Sequence, residues 1–375
     1  FLLTMSLNVC VVFRLSATDA APVNNANTFS LKVINYNIWH GLGEGFFKRE
    51  VLEPVDHKQK RDEKQIADLL NEKPDILFLQ EVNPVDSHSK RIAGRLGMKR
   101  VFQNTNCGIS ILGLGIPVNL NMGIAILVRP PLKITKIAKM KLSGPMGGCN
   151  PYATFQYAEF RYALFAKVDH PGKGSFLLVN THFHHGVEWS GILGNKIKEW
   201  ERRKLITSEQ RNELAEKIDK SNNRRARELK NLFAKLRDLR RREEYKNLPV
   251  VIAGDFNSTV RSPIYKDIVK TYGMKDSRTT YSPTPYTWDP PANRQNHIYT
   301  GKFASPVPTF GKKELENYFK KYDGKQRRID YLFVSPDIGV SSYALFGHKA
   351  DEDGIIGSDH FGIAVSLKIP SIKSK

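Results

Sequence analysis

The sequence predicts an α/β fold, with sheets in the middle and helices outside. Three observations predict it. Short apolar runs rich in Val and Ile alternate along the chain with segments whose apolar residues recur at helical spacing. The 375 residues are 40% hydrophobic, enough to bury a full core. No internal repeat or low-complexity tract breaks the pattern, and no domain boundary follows the polar Asn/Ala/Pro stretch around Val23 to Thr28.

In chain order, a strand is expected over 31–39, where Val33, Ile34 and Ile38 carry the apolar pattern. Residues 58–70 place Ile66, Leu69 and Leu70 at helical spacing. Residues 75–82, bounded by Pro74, read as a buried strand, and 123–128 as another. Residues 161–168 and 175–180 read as a hairpin around Pro171-Gly172-Lys173-Gly174. A segment dense in Lys, Arg and Glu then follows, and Ala226, Leu229, Leu232, Phe233 and Leu236 mark an amphipathic helix in its second half. Its first half reads as an added helical excursion whose charges form a solvated face; a clamp for nucleic acid or membrane is the second reading. Strands resume at Val250, over 329–334 and over 362–367. The expected organisation is a signal peptide over 1–21, a linker over 22–30, and one domain over 31–370 with a charged helical insertion around 186–246.

The signal is read from an apolar start followed by Ser16, Ala17, Ala20 and Ala21, a pattern of export to a secreted or periplasmic address. It is too short to span a bilayer comfortably. Cys10 lies within it, which leaves Cys107 and Cys149 either as a disulfide pair or as two separate thiols. The formal charge of +20 at pH 7 suits anions: nucleic acid, anionic lipid head groups, cell-wall polymers or phosphorylated small molecules. Nothing points to an obligate protein partner.

Polar groups sit at the strand ends. Asn37 ends the first strand, Gln80 and Glu81 the second, and Asn180, Thr181 and His182 the hairpin. Asp255 and Asn257 follow the Gly254 turn, Asp330 opens a late strand, and Ser358, Asp359 and His360 precede the last. Residues two apart in an extended chain point the same way, so Asp255 and Asn257 project side by side. Singly, each group has an ordinary account: a capped carbonyl for Asn37, an ion pair for Asp330 with Arg327 or Arg328, a structural role for His182. Jointly they suit hydrolysis of a phosphate ester. Hard carboxylate oxygens such as those of Glu81 favour magnesium, manganese or calcium. An imidazole oriented by an Asp can take a proton from water.

This set resembles the endonuclease/exonuclease/phosphatase superfamily with its DNase I-like fold. The matching pieces are Tyr36-Asn37-Ile38-Trp39, Pro74 to Val82 with its Gln80-Glu81, Gly123 to Leu127, Val179-Asn180-Thr181-His182-Phe183, Ala253-Gly254-Asp255-Phe256-Asn257-Ser258, Arg328-Ile329-Asp330-Tyr331 and Ser358-Asp359-His360-Phe361. The resemblance implies a four-layer α/β sandwich, two packed mixed β-sheets flanked by helices, with the site at one edge of both sheets. It implies that Glu81 binds a divalent metal, Mg2+ or Mn2+, assisted by Asn37 and Asp359. Asp255 and Asn257 would position the attacking water and the phosphate, and His182 would touch the phosphate or the leaving group. His360, oriented by Asp330, would be the general base or a charge partner.

Within the superfamily, the inositol-phosphate 5-phosphatase signature Trp-Cys-Asp-Arg is replaced here by Arg327-Arg328-Ile329-Asp330-Tyr331. The Lys that abasic-site endonucleases carry after the metal Glu is replaced by Val82-Asn83-Pro84. Tyr286-Thr287-Trp288-Asp289 and Asn293 are similar to a segment of neutral sphingomyelinase-like members. The expected function is therefore a secreted phosphodiesterase acting on a phospholipid head group. Apolar loops at Gly45-Phe46-Phe47 and over 109–116 are candidates for contact with an anionic membrane, the second reading as an ordinary buried strand. The alternatives are a secreted nuclease acting on DNA or RNA, which the charge suits as it also suits an anionic membrane, and a non-catalytic polyanion-binding protein on the same fold.

Overall fold

The central strands of this chain are apolar on both sides because each is sandwiched between the opposite sheet and a layer of helices. The computed structural model describes residues 28–41, 53–106, 110–111, 114–115, 121–149, 153–155, 160–278, 286–293 and 305–372. The first part of the chain forms β1 (Thr28–Asn37), α1 (Val55–Glu72), β2 (Ile76–Val82), α2 (Val85–Leu96), β3 (Lys99–Asn106), the short β4 (Ser110–Ile111) and β5 (Leu114–Gly115), and β6 (Met122–Val128). Next come β7 (Lys133–Ser143), β8 (Gly148–Cys149), β9 (Ala153–Phe155), β10 (Arg161–His170), β11 (Gly174–His182), α3 (Gly191–Arg202) and α4 (Ser208–Arg240). The last part holds β12 (Val250–Asp255), α5 (Pro263–Lys266), β13 (Lys275–Asp276), α6 (Lys313–Asp323), β14 (Asp330–Val334), β15 (Gly339–Phe346) and β16 (Gly362–Pro370).

Two six-stranded sheets result, in the orders β15-β16-β1-β2-β6-β3 and β13-β14-β12-β11-β10-β7, with a small sheet β5-β4-β9-β8 beside them. Alternation along each strand divides its side chains between two cores. Val33, Phe78 and Ile126 of the first sheet meet Leu164, Phe176, Val251 and Leu332 of the second in the central core. Ile34, Leu77 and Leu79 face outward onto Ile66 and Leu69 of α1 and Ile92 of α2. Phe165, Leu177 and Ile252 face the other way, onto Leu229, Leu232 and Phe233 of α4 and Ile264 of α5. This is the helix–sheet–sheet–helix sandwich expected. Each fully buried Leu, Ile or Phe in it stabilises the fold by about 1.5–3 kcal/mol.

Asn35, Gln80 and Asn180 are polar yet fully buried between the sheets. Gln80 Nε2 donates to Asn35 Oδ1 at 2.9 Å and to Asn180 Oδ1 at 2.7 Å. Asn180 Nδ2 donates to Leu79 O at 2.9 Å and Ala125 O at 2.8 Å, and Asn35 Nδ2 to Gly254 O at 3.2 Å. The two carbonyls need Asn180 because the β2–β6 pairing shifts register between Leu79 and Val82. A bulge leaves ladder groups unpaired, and a buried unpaired carbonyl is costly.

Two expectations change. The first strand begins at Thr28, so residues 28–30, read as linker, pair with β16. The first half of the insertion is also more than a solvated face. Leu193, Ile197 and Trp200 of α3 and Leu214 and Ile218 of α4 build a separate small core with Val307 and with Leu315 and Phe319 of α6. Moreover, α4 is one helix of 33 residues, started by a capping box between Thr207 and Gln210. The signal segment, Cys10, Cys107, Phe46 and Phe47 lie outside the described residues, as do residues 109, 112, 113 and 116 of the second apolar loop. Among the described residues no helix is long and apolar enough to cross a membrane.

Candidate active site

Strand register gathers the polar strand ends at one edge of both sheets. β1 runs parallel to β2 with Asn37 opposite Gln80, and β11 runs parallel to β12 with His182 opposite Asp255. β14 runs antiparallel to β12, which sets Asp330 opposite Asp255. Gly254 permits this closeness, since a Cβ there would lie 2.1 Å from Thr181 O. Trp39, Glu81 and Asn257 all take left-handed backbone angles, with φ of +54°, +58° and +47°. Such conformations cost about 1–3 kcal/mol for ordinary residues and concentrate at functional sites. At Glu81 the angle belongs to the β2 bulge, which turns the carboxylate into the cleft.

Seven of the eight residues singled out from sequence meet around Asp255. Asn37 Nδ2 donates to Glu81 Oε1 at 3.1 Å and to Asp255 Oδ2 at 3.2 Å. Asn257 Nδ2 donates to the same Asp255 oxygen at 3.2 Å, and its backbone N–H to Asp255 Oδ1 at 2.8 Å. His182 Nε2 lies 3.4 Å from Asp255 Oδ2 and 3.8 Å from Glu81 Oε1. His360 Nδ1 and Asp330 Oδ2 are 2.8 Å apart, and His360 Nε2 lies 4.0 Å from Asp255 Oδ2. Asp359 borders the group, its Oδ1 3.3 Å from Ser358 Oγ.

The electrostatics separate the carboxyls. Burial works against ionising Glu81, but His40, His182 and His360 together with the Asn37 amide outweigh it and hold the group down at about 2. Burial, with Asp330 adding to it, pushes Asp255 up to about 7. Burial also pushes Asp359 up to about 7 against the pull of His360. Burial disfavours the His360 cation, yet the Asp330 carboxylate more than compensates and raises His360 to about 10. His360 therefore keeps its proton at neutral pH, whereas Asp255 is poised to exchange one.

A divalent cation fits this donor set. Four carboxyls share one buried edge, two of them resist ionisation without a counter-charge, and Asp330 Oδ1 is buried without a partner among the described residues. Two ligand sets compete. Ligand atoms of Asp255, Asp330 and His360 lie within 4.8 Å of one another. However, Asp330 Oδ2 is already taken by His360 Nδ1, and a His360 ring that keeps its proton offers a cation no lone pair. Glu81 is the better anchor, being ionised and, at 15% side-chain exposure, open to the cleft. Asn37 Oδ1 accepts from Trp39 N–H at 3.1 Å, so its amide would have to turn over to offer oxygen to a metal.

His40 is a support that the sequence did not announce, whereas Thr287, Trp288, Asn293 and Ser358 lie in segments already singled out from it. His40 holds Glu81 Oε2 through its backbone N–H at 3.2 Å and its ring Nε2 at 3.3 Å. Thr287 Oγ1 accepts from Asp330 N–H at 3.1 Å, the Trp288 ring lies 5.1 Å from that of His360, and Asn293 Nδ2 donates to Ser358 O at 2.5 Å. Ser358 Oγ in turn donates to Asn37 O at 2.7 Å and accepts from His360 N–H at 3.2 Å. The position of His40, three residues after Asn37, was its only available cue.

A family model described as Endonuclease/Exonuclease/phosphatase family matches residues 34–360. Comparison with curated proteins finds no match. Among solved structures, an endonuclease/exonuclease/phosphatase family protein from Bacteroides thetaiotaomicron aligns with TM-score 0.55 and 17% identity over 91% of this chain and 98% of its own. The human Nocturnin catalytic domain, solved with a bound sulfate anion, aligns with TM-score 0.53 and 16% identity over 91% of this chain and 94% of its own. A mannosyl-6-phosphatase from Bacteroides thetaiotaomicron gives 0.53 and 18% over 90% and 99%. At these identities the likeness establishes the shared fold.

Proposed function

Because the chain belongs to the endonuclease/exonuclease/phosphatase family and is a hydrolase of phosphate esters, we propose that it is a Mg2+- or Mn2+-dependent phosphodiesterase acting on a phospholipid head group. The observation that carries the lipid reading is the placement of the sphingomyelinase-like segment. Thr287, Trp288 and Asn293 are built into the site and support Asp330, His360 and Ser358. The N-terminal apolar stretch supports a secreted or periplasmic address, where such a substrate would be met.

In this reading Glu81, with Asn37 and Asp359 beside it, holds the divalent cation. The cation, when bound, supplies positive charge that offsets charge developing on the phosphoryl oxygens. Asp255 takes a proton from water, and Asn257 keeps its carboxylate in place through two hydrogen bonds. His360 is the charge partner of the two roles read from sequence: its retained proton stabilises a phosphoryl oxygen, and Asp330 orients the ring. His182, 3.4 Å from Asp255, faces the same centre from the β11 side.

The net charge of +20 favours a second reading, cleavage of nucleic acid, and Lys133, Lys136 and Lys139 are exposed on the edge strand β7. A substrate panel separates the two. It comprises sphingomyelin vesicles, plasmid DNA, RNA and a soluble inositol phosphate, each with magnesium and with EDTA. Phosphocholine release with intact plasmid supports the lipid reading. Plasmid or RNA cleavage that falls steeply with salt replaces it with the nuclease. No metal-dependent hydrolysis of any of them would refute both.

A further inference from the structure

We propose that Glu188 is a positioning residue for the catalytic turn at 255–259, and that α4 of the charged insertion serves to hold it there. The proposal rests on the phosphoesterase reading of the site. Residues 183–188 leave β11 as a strap running along α4, and α4 side chains, Arg225 and Glu228 among them buried, grip its backbone. Glu228 Oε2 accepts from His184 N–H at 2.8 Å. Arg225 donates to the carbonyls of Gly186 at 3.2 Å and Val187 at 3.4 Å, and Asn222 Nδ2 donates to Val187 O at 2.9 Å. Gly186 makes this approach possible: its φ is +147°, and a Cβ there would lie 2.1 Å from Ser221 Oγ.

Both ends of the strap fasten the catalytic turn. At the near end, Phe183 N–H donates to Asp255 O at 2.8 Å, and Phe183 O accepts from Asn257 Nδ2 at 3.1 Å. At the far end, the Glu188 carboxylate accepts from Thr259 N–H at 2.9 Å and from Thr259 Oγ1 at 2.8 Å. Glu188 N–H itself donates to the Tyr322 hydroxyl of α6 at 3.0 Å, so the insertion core fixes the residue from behind. The turn between these fastenings carries Asp255 and Asn257, and Asn257 sits in a left-handed conformation that an unrestrained chain would leave readily. Ionic acceptors make strong, short hydrogen bonds, and the two to Thr259 set where the turn stops.

The test uses full-length Glu188→Ala, Thr259→Ala, the double variant and Glu188→Gln. Amide exchange is measured on the metal-free proteins, and hydrolysis of bis(4-nitrophenyl) phosphate with magnesium on the same samples. Glu188→Ala is expected to speed exchange at Phe256 and Asn257 by about tenfold or more while α4 stays protected. It is expected to lower kcat by about 10–100-fold with KM within about twofold, the signature of misplacement. The double variant should be no worse than Glu188→Ala, because Glu188→Ala alone already removes both bonds to Thr259. Glu188→Gln can still accept from the amide and donate to the hydroxyl, and should recover most of both signals. Wild-type exchange at 256–257 in Glu188→Ala would overturn the proposal. So would exchange rising equally through α4, which would make Glu188 a general scaffold residue. Failure of the wild-type protein to cleave the phosphodiester would count against the phosphoesterase reading, while the exchange data still decide the role of Glu188.

Discussion

Divalent-cation binding should tighten steeply between pH 5 and pH 8. Asp255, raised by burial and by Asp330, and Asp359, raised by burial against His360, each stand at about 7, while Glu81 stays ionised with a value of about 2. A raised carboxyl keeps its proton in the fold after the unfolded chain has lost it. Its stabilising effect is complete below the ordinary carboxylate value of about 4 and is gone once pH passes about 7. The cation-free fold therefore weakens across that window, and a bound cation takes over the role of the protons. At pH 5 a group of pKa about 7 is ionised in about one molecule in a hundred. If binding displaces one such proton, affinity at pH 5 falls about 100-fold below its value at pH 8, or about 2.7 kcal/mol; displacing two gives about 10⁴-fold. Calorimetric titration with magnesium and manganese, in buffers of different ionisation enthalpy, measures affinity and counts protons. Release of one to two protons near pH 6 is expected. A flat affinity from pH 5 to pH 8, or proton uptake, would refute the reasoning.

Asp255→Asn should cut kcat on a phosphodiester by about 10²–10⁴-fold, which steady-state kinetics checks; a loss under about tenfold would remove Asp255 from the proton-taking role. Asn180→Ala strands the Leu79 and Ala125 carbonyls and the Gln80 amide. At about 1–3 kcal/mol each, with partial relaxation, a loss of about 3–5 kcal/mol is expected in urea unfolding, and less than about 1 would sink the account of the bulge. Arg61→Met leaves Glu53 buried after removing bonds of 2.7 and 2.8 Å, and should cost about 3–5 kcal/mol; a Glu53→Leu, Arg61→Met double variant should recover part of it on the same curves.

The sandwich was legible because strands such as 76–82 and 250–255 are apolar on both faces, a pattern that period and length identify without long-range information. The site residues were legible because each interrupts such a run: a Glu after Leu79-Gln80, or an Asp after Ala253-Gly254, stands out against its neighbours. What escaped the reading depends on pairs far apart in the chain. Gln80 and Asn180 are separated by 100 residues, Glu188 and Thr259 by 71, and Ser358 and Asn37 by 321. No local pattern announces such partners. The insertion was misjudged for a related reason. Its apolar residues are sparse among charges, and the surface that covers them, Leu315 and Phe319, comes about a hundred residues later.

That distant partnership has a practical corollary. Shortening the chain by cutting out α3 and the start of α4 would strip the cover from Leu315 and Phe319 and leave α6 without a bed. A workable miniaturised version would have to delete both pieces together. It would also have to find a new prop for Tyr322, whose hydroxyl anchors Glu188. Two stretches that look independent along the sequence thus behave as one structural unit.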